Sequence, residues 1–402
     1  MLRVACILVL ALGAGVYPSR DISARQTPLP VVGPPPPMPR ETYVPRPPGI
    51  RVEVVASGLE VVWAMEFAPD GRLFLTEKPG RIRVVRTDGR LDPVPWKVLE
   101  QVHSFGEAGL MGLAMHPAFP EEPWVYVMYT TSKEGRRVNR VARIREVDGR
   151  GAAEEVLLDD IPAAERTNHN GGRIRFGPDG MLWVGTGDAY VPARSQDIDH
   201  PSGGVLRITP AGSVPPDNPW PRNPMVAYGL RNVQGLAWHP STGALFAADH
   251  GPTSEWRGAG IAHRDEINIV RRGGNYGWPL AVGAPGAEGF EDPLLAWIPS
   301  ASIGDLLFYT ASLMPRFRGD LFFASLRAET LMRIRFQDRA DPHSVTAIER
   351  WFNTAARGRS VYGRIRSLAL GPDGALYMGT GNRFRGTPRG ADDRVLRIVP
   401  GR

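Results

Sequence analysis

Lysine is nearly missing from this chain: Lys78, Lys97 and Lys133 are the only three among 48 lysines and arginines, which leaves 45 arginines. The net charge of +6 is spread along the chain without a basic run, and such scatter does not build the stripe that tracks a phosphate backbone. Nucleic-acid binding is therefore not expected, and the surplus reads as a compositional bias toward arginine. Cysteine is scarcer still. Cys6 lies early in an N-terminal apolar run, in the wrong context for a lipoprotein site. Neither a disulfide framework nor a thiolate metal centre is then available, and stability must come from the core. Long apolar runs are also lacking: residues 4–16, after a basic start at Arg3, are too short to span a bilayer comfortably and are shaped like a secretory signal. Residues 1–20 are thus expected to be a signal peptide and the protein periplasmic or secreted, with no stable membrane insertion after cleavage. An uncleaved anchor is the alternative.

Catalytic signatures are missing as well. There is no GxSxG elbow, no HExxH and no Walker loop, and "GTGDAY" lacks the third glycine of a dinucleotide fingerprint. Serine hydrolysis, zinc chemistry and nicotinamide binding lose weight accordingly.

What the chain has in abundance is turn chemistry, with 46 glycines and 39 prolines. Residues 21–48, "DISARQTPLPVVGPPPPMPRETYVPRPP", are too proline-rich to pack a core and read as an extended spacer. From residue 49 to 402 a turn, often Pro-Asp-Gly, recurs before a short apolar strand: "APDGRLFLTEK", "HPAFPEEPWVYVMYT", "GPDGMLWVGTGD", "HPSTGALFAADHGP", "FRGDLFFAS" and "GPDGALYMGTGN". In each Pro-Asp-Gly, proline sets φ, aspartate bonds locally and glycine relaxes the backbone. Six such units fit an all-β, six-bladed β-propeller, in which blades that cannot bury their faces alone close into a ring. The strand from Ile50 is expected to pair with the last, from Arg394, and seal that ring. A pair of β-sandwiches would not explain the even spread of one motif.

Polar strings follow the repeated strands, where a propeller gathers its loops: "NHNGGR" at 168–173, "GTGD" at 185–188, "GLRNVQG" at 229–235, "DHGP" at 249–252, "RDEIN" at 264–268 and "GRIRS" at 363–367. On local grounds His169 and Asp188 fit a turn or a cap as well as catalysis. Taken in order, with "GGNYGWP" at 273–279, these strings resemble the glucose/sorbosone dehydrogenase family, the soluble aldose dehydrogenases that use pyrroloquinoline quinone (PQQ) and calcium. The resemblance runs from Leu59 almost to the C terminus. It implies that His169 is the base that takes the hydroxyl proton as hydride leaves the sugar carbon, and that Asp188 orients it. It further implies that Arg231 and Asn232 face the reactive quinone oxygens. Glu107, His250, Asp265, Ser300, Arg327, Arg364 and Arg366 are implied as the remaining cofactor contacts. Planar guanidinium groups suit a polycarboxylate, and the Arg364-Ile365-Arg366 alternation puts both arginines on one face of a strand. The carbonyls of Gly251 and Pro252 are implied as calcium ligands.

The activity implied is oxidation of an aldose at its anomeric carbon to a lactone, with an external electron acceptor. Three departures stand out: Arg327 where the family tends to have lysine, Ser367 in place of an aspartate, and Ile303-Gly304 in place of proline and serine. They leave a non-catalytic propeller that binds carbohydrate or protein as an alternative. A metal-dependent lactonase would need a cage of side-chain ligands that the sequence does not offer.

Overall fold

A computed structural model describes residues 29–401 except 166–167, 254, 257–258, 262–263 and 355–359. The expected signal segment lies outside the described residues. Six antiparallel sheets follow one another along the chain, and no α-helix occurs among the described residues. The expected six-bladed propeller is the fold.

Blade 1 is formed by Val62–Phe67, Leu73–Glu77, Arg81–Val85 and Lys97–Val98. Blade 2 begins at Leu110–Met115, blade 3 at Gly171–Phe176, blade 4 at Val233–Trp238, blade 5 at Ile303–Phe308 and blade 6 at Ile365–Leu370. These first strands line the axis. The recurring sequence motif is the hairpin from the first to the second strand of every blade, so its six copies number the blades. The turns work as their chemistry requires. Asp70, Asp179 and Asp373 each accept a hydrogen bond from the backbone N–H two residues on, at 3.0, 3.1 and 3.0 Å, and the following Gly71, Gly180 and Gly374 have φ of 87, 71 and 77°.

Ring closure is as expected: Ile50–Ala56 pairs antiparallel with Val395–Pro400 and becomes the outer strand of blade 6. The first and last parts of the domain thus share one sheet, which ties the ring shut. The core lies between blades rather than at a centre. One apolar layer, with Trp63, Phe74, Tyr126 and Ile174, joins blades 1 to 3, and further layers join each later pair, including blade 6 to blade 1 through Val62, Leu75 and Val395. Such face-to-face burial, at about 25 cal/mol per Å², is the main force holding the ring.

The segment expected to be a spacer is extended, but from residue 29 it is docked. Val31–Val32 pairs with Ala281–Val282, and Glu41–Val44 adds a fifth, parallel strand to blade 5 beside Val345–Trp351. Proline prevents a regular sheet here, yet alternate residues still find partners. Met38 packs on the layer between blades 4 and 5, and Glu41 accepts a hydrogen bond from the Trp297 indole at 2.7 Å. A strand can add to a sheet edge through backbone bonds without contributing a core of its own.

Candidate active site

Each first strand runs from one end of the propeller to the Pro-Asp-Gly end, and the second strand returns. Residues before first strands and after second strands therefore meet at one mouth. That rule gathers His169, Arg231, Asn232 and Arg364 with Lys78, Asp188, His250 and Leu326, although they are scattered over most of the chain.

His169 precedes blade 3 and has φ of 67°, a left-handed conformation uncommon for a non-glycine residue. Two bonds impose it. Its N–H donates to the Glu107 carboxylate at 3.1 Å and its carbonyl accepts from Ala189 N–H at 3.2 Å. Gly187 passes so close that an added Cβ would lie 2.1 Å from the His169 carbonyl oxygen. The imidazole Nδ1 lies 2.7 Å from Asp188 Oδ1, with 4% and 0% of the two side chains exposed. Asp188 also accepts from Tyr190 N–H at 2.8 Å on the same oxygen and from the Trp278 indole at 2.9 Å on the other. Asp188 meets each of these partners as an acceptor, so Nδ1 carries the hydrogen that faces it and Nε2 is left with its lone pair. The Tyr190 ring stacks on the imidazole at 3.9 Å and 21°, fixing its plane.

Glu107 ties this pair to the next cleft. Its carboxylate accepts from Asn232 Nδ2 at 3.2 Å as well as from His169 N–H, and it lines a narrow cleft with Trp63, Lys78, Leu326, Arg364, Arg366 and Phe384. Burial alone would raise the Glu107 carboxyl; His250, His169, Arg366 and the His169 amide together hold it below its ordinary value. Arg364 and Arg366 do face the same space. Trp63 lies between two guanidinium groups, Arg173 and Arg366, each 4.4 Å from its ring centre. Lys78 Nζ sits 5.0 Å over the Phe384 ring and donates to Ser104 at 3.1 Å.

Three cations thus share a cleft lined by one carboxylate, and burial works against them. It lowers Arg366 to about 9, with Arg173 and Arg364 adding repulsion, and Arg364 to about 10; it lowers Lys78 to about 8, with Arg366 again contributing. The buried Nε atoms of Arg364 and Arg366 and the Trp63 indole nitrogen have no hydrogen-bond partner among the described residues. Buried cationic donors without acceptors are costly unless an anion joins them. This donor set fits a planar polycarboxylate.

Arg231 is buried at the edge of the site, its guanidinium donating to the His250 carbonyl at 2.9 Å and to Glu255 at 2.6 Å, with the Trp278 ring 5.3 Å away. Its N–H and that of Asn232 are held by Asp249 at 2.9 and 2.6 Å. His250 Nε2 bonds the Ile303 carbonyl at 2.8 Å. Gly251 and Pro252 follow, both buried, with Gly251 N–H donating to Asp265 at 3.3 Å. The other Asp265 oxygen accepts from the Ser300 hydroxyl and Ser302 N–H.

Arg327 is exposed, and its neighbour Leu326 faces the cleft. The other departures have local reasons. Ser367 donates to the Val62 carbonyl at 2.9 Å, joining blades 6 and 1. At position 304 an added Cβ would lie 2.8 Å from the Arg366 carbonyl oxygen, so the close approach of blades 5 and 6 favours glycine. Among the described residues no three His, Cys, Asp or Glu side chains form a metal cage.

The sequence reading had not singled out Lys78, Trp63, Tyr190, Trp278, Glu255 or Phe384. Lys78 has a signal in being one of three lysines among 45 arginines, and Trp278 lies within the "GGNYGWP" string.

The profile of the family described as glucose/sorbosone dehydrogenase matches residues 59–386. The chain belongs to that family. Its relatives include the aldose sugar dehydrogenase of Escherichia coli strain K12, 29% identical over 351 residues, 82% of this chain and 89% of the relative. Among solved structures, the PQQ-bound aldose sugar dehydrogenase of Streptomyces coelicolor is 32% identical with a TM-score of 0.73, covering 88% of this chain and 99% of the other. A provisionally assigned oxidoreductase (glucose dehydrogenase) from Thermus thermophilus is 43% identical with a TM-score of 0.78, covering 87% and 100%.

Proposed function

We propose that this family member is an exported oxidoreductase that binds PQQ and oxidises the anomeric carbon of aldose sugars to lactones, passing electrons to an external acceptor. The observation that carries the reading is the buried His169–Asp188 pair, joined through Glu107 to a cleft with three cations and too few acceptors. The PQQ-bound relative supports it from outside.

Arg364, Arg366 and Lys78 would hold the cofactor's carboxylates, and Arg231 with Asn232 would face its reactive edge. PQQ, when bound, supplies an electrophilic quinone that accepts a hydride and its two electrons. A calcium ion on the Gly251 and Pro252 carbonyls would supply Lewis acidity beside it. The chain's own part is proton chemistry and orientation. His169 Nε2 takes the anomeric hydroxyl proton as the C–H bond breaks, so charge does not build on the sugar oxygen. Asp188 stabilises the imidazolium that results, and Tyr190 keeps the ring from turning away. Glu107, kept ionised, holds the His169 backbone and the Asn232 side chain in mutual register.

The test is dye reduction by purified protein across a panel of aldoses, with and without added PQQ and calcium. The reading expects turnover only with PQQ present, and chelation of calcium should lower both activity and the melting temperature of the loaded protein by mass action. It further expects replacement of both Arg364 and Arg366 by alanine to weaken PQQ binding by orders of magnitude, at about 1.5–3 kcal/mol per charge-assisted contact. Lack of turnover by protein shown spectroscopically to hold PQQ would overturn it.

A further inference from the structure

Residues 31–34 of the docked N-terminal segment precede those that the family profile matches, so the family's site residues do not account for them. Their seat is held by backbone bonds. Val31 N–H donates to the Leu280 carbonyl at 2.8 Å, Gly33 N–H to the Val282 carbonyl at 2.9 Å, and Ala284 N–H to the Pro34 carbonyl at 2.8 Å. Apolar burial explains little of this, since Val31, Val32 and Pro34 are all exposed. Gly33 alone is buried, and it lies so close to the 280–285 segment that an added Cβ would be 2.1 Å from the Pro285 nitrogen. Its carbonyl accepts a second bond, from the Arg264 guanidinium at 3.1 Å.

Both sets of contacts lead to Arg231. On one side Val282 packs with Trp256, Ile261 and Trp278 in a small apolar cluster, the two indole rings 5.1 Å apart. Trp278 in turn faces the Arg231 guanidinium at 5.3 Å and donates to Asp188 at 2.9 Å. On the other side Arg264 passes Gly251 so tightly that a Cβ at Gly251 would lie 1.6 Å from the Arg264 carbonyl oxygen. The chain leaving Gly251 supplies the Thr253 hydroxyl and the Glu255 carboxylate that accept from Arg231 at 3.4 and 2.6 Å. A guanidinium gripped between a carboxylate and a ring keeps its angle only while both walls keep theirs. Backbone packed without slack passes a displacement on rather than absorbing it.

We propose that residues 31–34 are a positioning clamp for Arg231: by pinning residues 280–284 and Arg264 together, they fix Trp278 and the chain after Gly251 on its two sides. The inference rests on the dehydrogenase reading for the role of Arg231 and extends the site to a segment outside the ring of blades. Ring closure does not depend on this segment, because Ile50–Ala56 provides it. Unseating the clamp therefore leaves the six blades paired.

The experiment uses the full chain as wild type, Gly33→Ala, Arg264→Met, Arg264→Lys and, as a control in the same segment but away from the clamp, Met38→Ala. The alanine at position 33 cannot be seated without parting residues 33 and 285, methionine at 264 removes the bond to the Gly33 carbonyl, and lysine restores a donor. With PQQ and calcium supplied, kcat on an oxidisable aldose should fall about three- to tenfold in Gly33→Ala and Arg264→Met, inside the ~10²-fold that a small misplacement can cost. Arg264→Lys should recover most of that loss, and Met38→Ala should stay near wild type. A second arm follows hydrogen exchange in the cofactor-free proteins, which should quicken in residues 249–253 and 276–284 of Gly33→Ala and Arg264→Met but not of Met38→Ala. Unchanged exchange there in Gly33→Ala sinks the clamp whatever the activity. Quickened exchange with wild-type kcat, or an equal loss of kcat in Met38→Ala, overturns the positioning role. If no aldose is oxidised even by wild type, quickened exchange confined to the two clamp variants still supports the clamp, and only the dehydrogenase reading falls.

Discussion

Replacing Asp188 by asparagine separates its two roles, because its oxygens hold three donors unequally. Oδ1 accepts from His169 Nδ1 and Tyr190 N–H, and Oδ2 from the Trp278 indole alone. An asparagine will turn its carbonyl to the side with two donors and its NH2 to the indole. The His169 tautomer then survives, and one buried donor–donor contact is created, worth about 1–3 kcal/mol of lost stability. The negative charge is also gone. At ~4 Å from the imidazolium and an effective dielectric of ~20, that charge is worth up to about 4 kcal/mol, so kcat should fall by roughly 10² to 10³. Trp278→Phe in the asparagine background removes the opposed donor. Thermal melts of wild type, both single variants and the double variant should therefore give a favourable coupling of about 1–2 kcal/mol. Dye-reduction kinetics on the same four proteins should show no recovery of kcat. Recovery of kcat in the double variant would mean that Asp188 acts only by packing, and a coupling near zero would refute the hydrogen-bond assignment itself.

The His169→Ala variant should lose about 10² to 10⁴ in turnover while its PQQ titration stays near wild type; turnover within a few-fold of wild type would require another base. Lys78, lowered to about 8 by burial and by Arg366, is charged in the free protein at pH 7 and must take up a proton to bind an anion at pH 9. Between pH 8 and 9, below the range in which Arg366 and Arg364 lose their protons, PQQ affinity should therefore fall by up to about tenfold, and Lys78→Met should bind more weakly at pH 7 and lose that slope in an absorbance titration. Because the unfolded chain keeps the Lys78 proton to about pH 10.4 while the folded chain releases it near 8, this residue makes the unliganded protein more stable as pH rises through that window, which melts at pH 7.5 and 9.5 of wild type and Lys78→Met should register. Gly187→Ala places a methyl 2.1 Å from the His169 carbonyl oxygen, so it should destabilise by more than about 2 kcal/mol, in the range of overpacked cores, and depress kcat with it; an unchanged melt would show that the backbone there yields.

How much could be read without coordinates follows the range of the interactions. A Pro-Asp-Gly turn is complete within about five residues, so its chemistry is visible in the string, and its repetition counts the blades. Ring closure was legible for the same reason: an extra strand at residue 50 and a last blade one strand short have only each other. The positions of His169, Asp188, Arg364 and Arg366 came from ordered motifs, and their alternation sufficed to put the arginines on one face. Their partners did not come from motifs. Glu107 meets His169 across 62 residues and Asn232 across 125, and Trp278 reaches Asp188 across 90; contacts at such separations are set by which loops the ring brings to one mouth.

The docking of residues 29–48 was illegible for a related reason. Their composition rules out a core of their own, but only the open edge of blade 5 and the 280–285 segment supply the backbone partners that hold them. Local turn propensity and alternation thus determined the architecture from sequence alone. Desolvation, which makes a cluster of scattered arginines and one lysine into an anion site, depends on how deeply the closed ring buries them, and only the tertiary structure decided that.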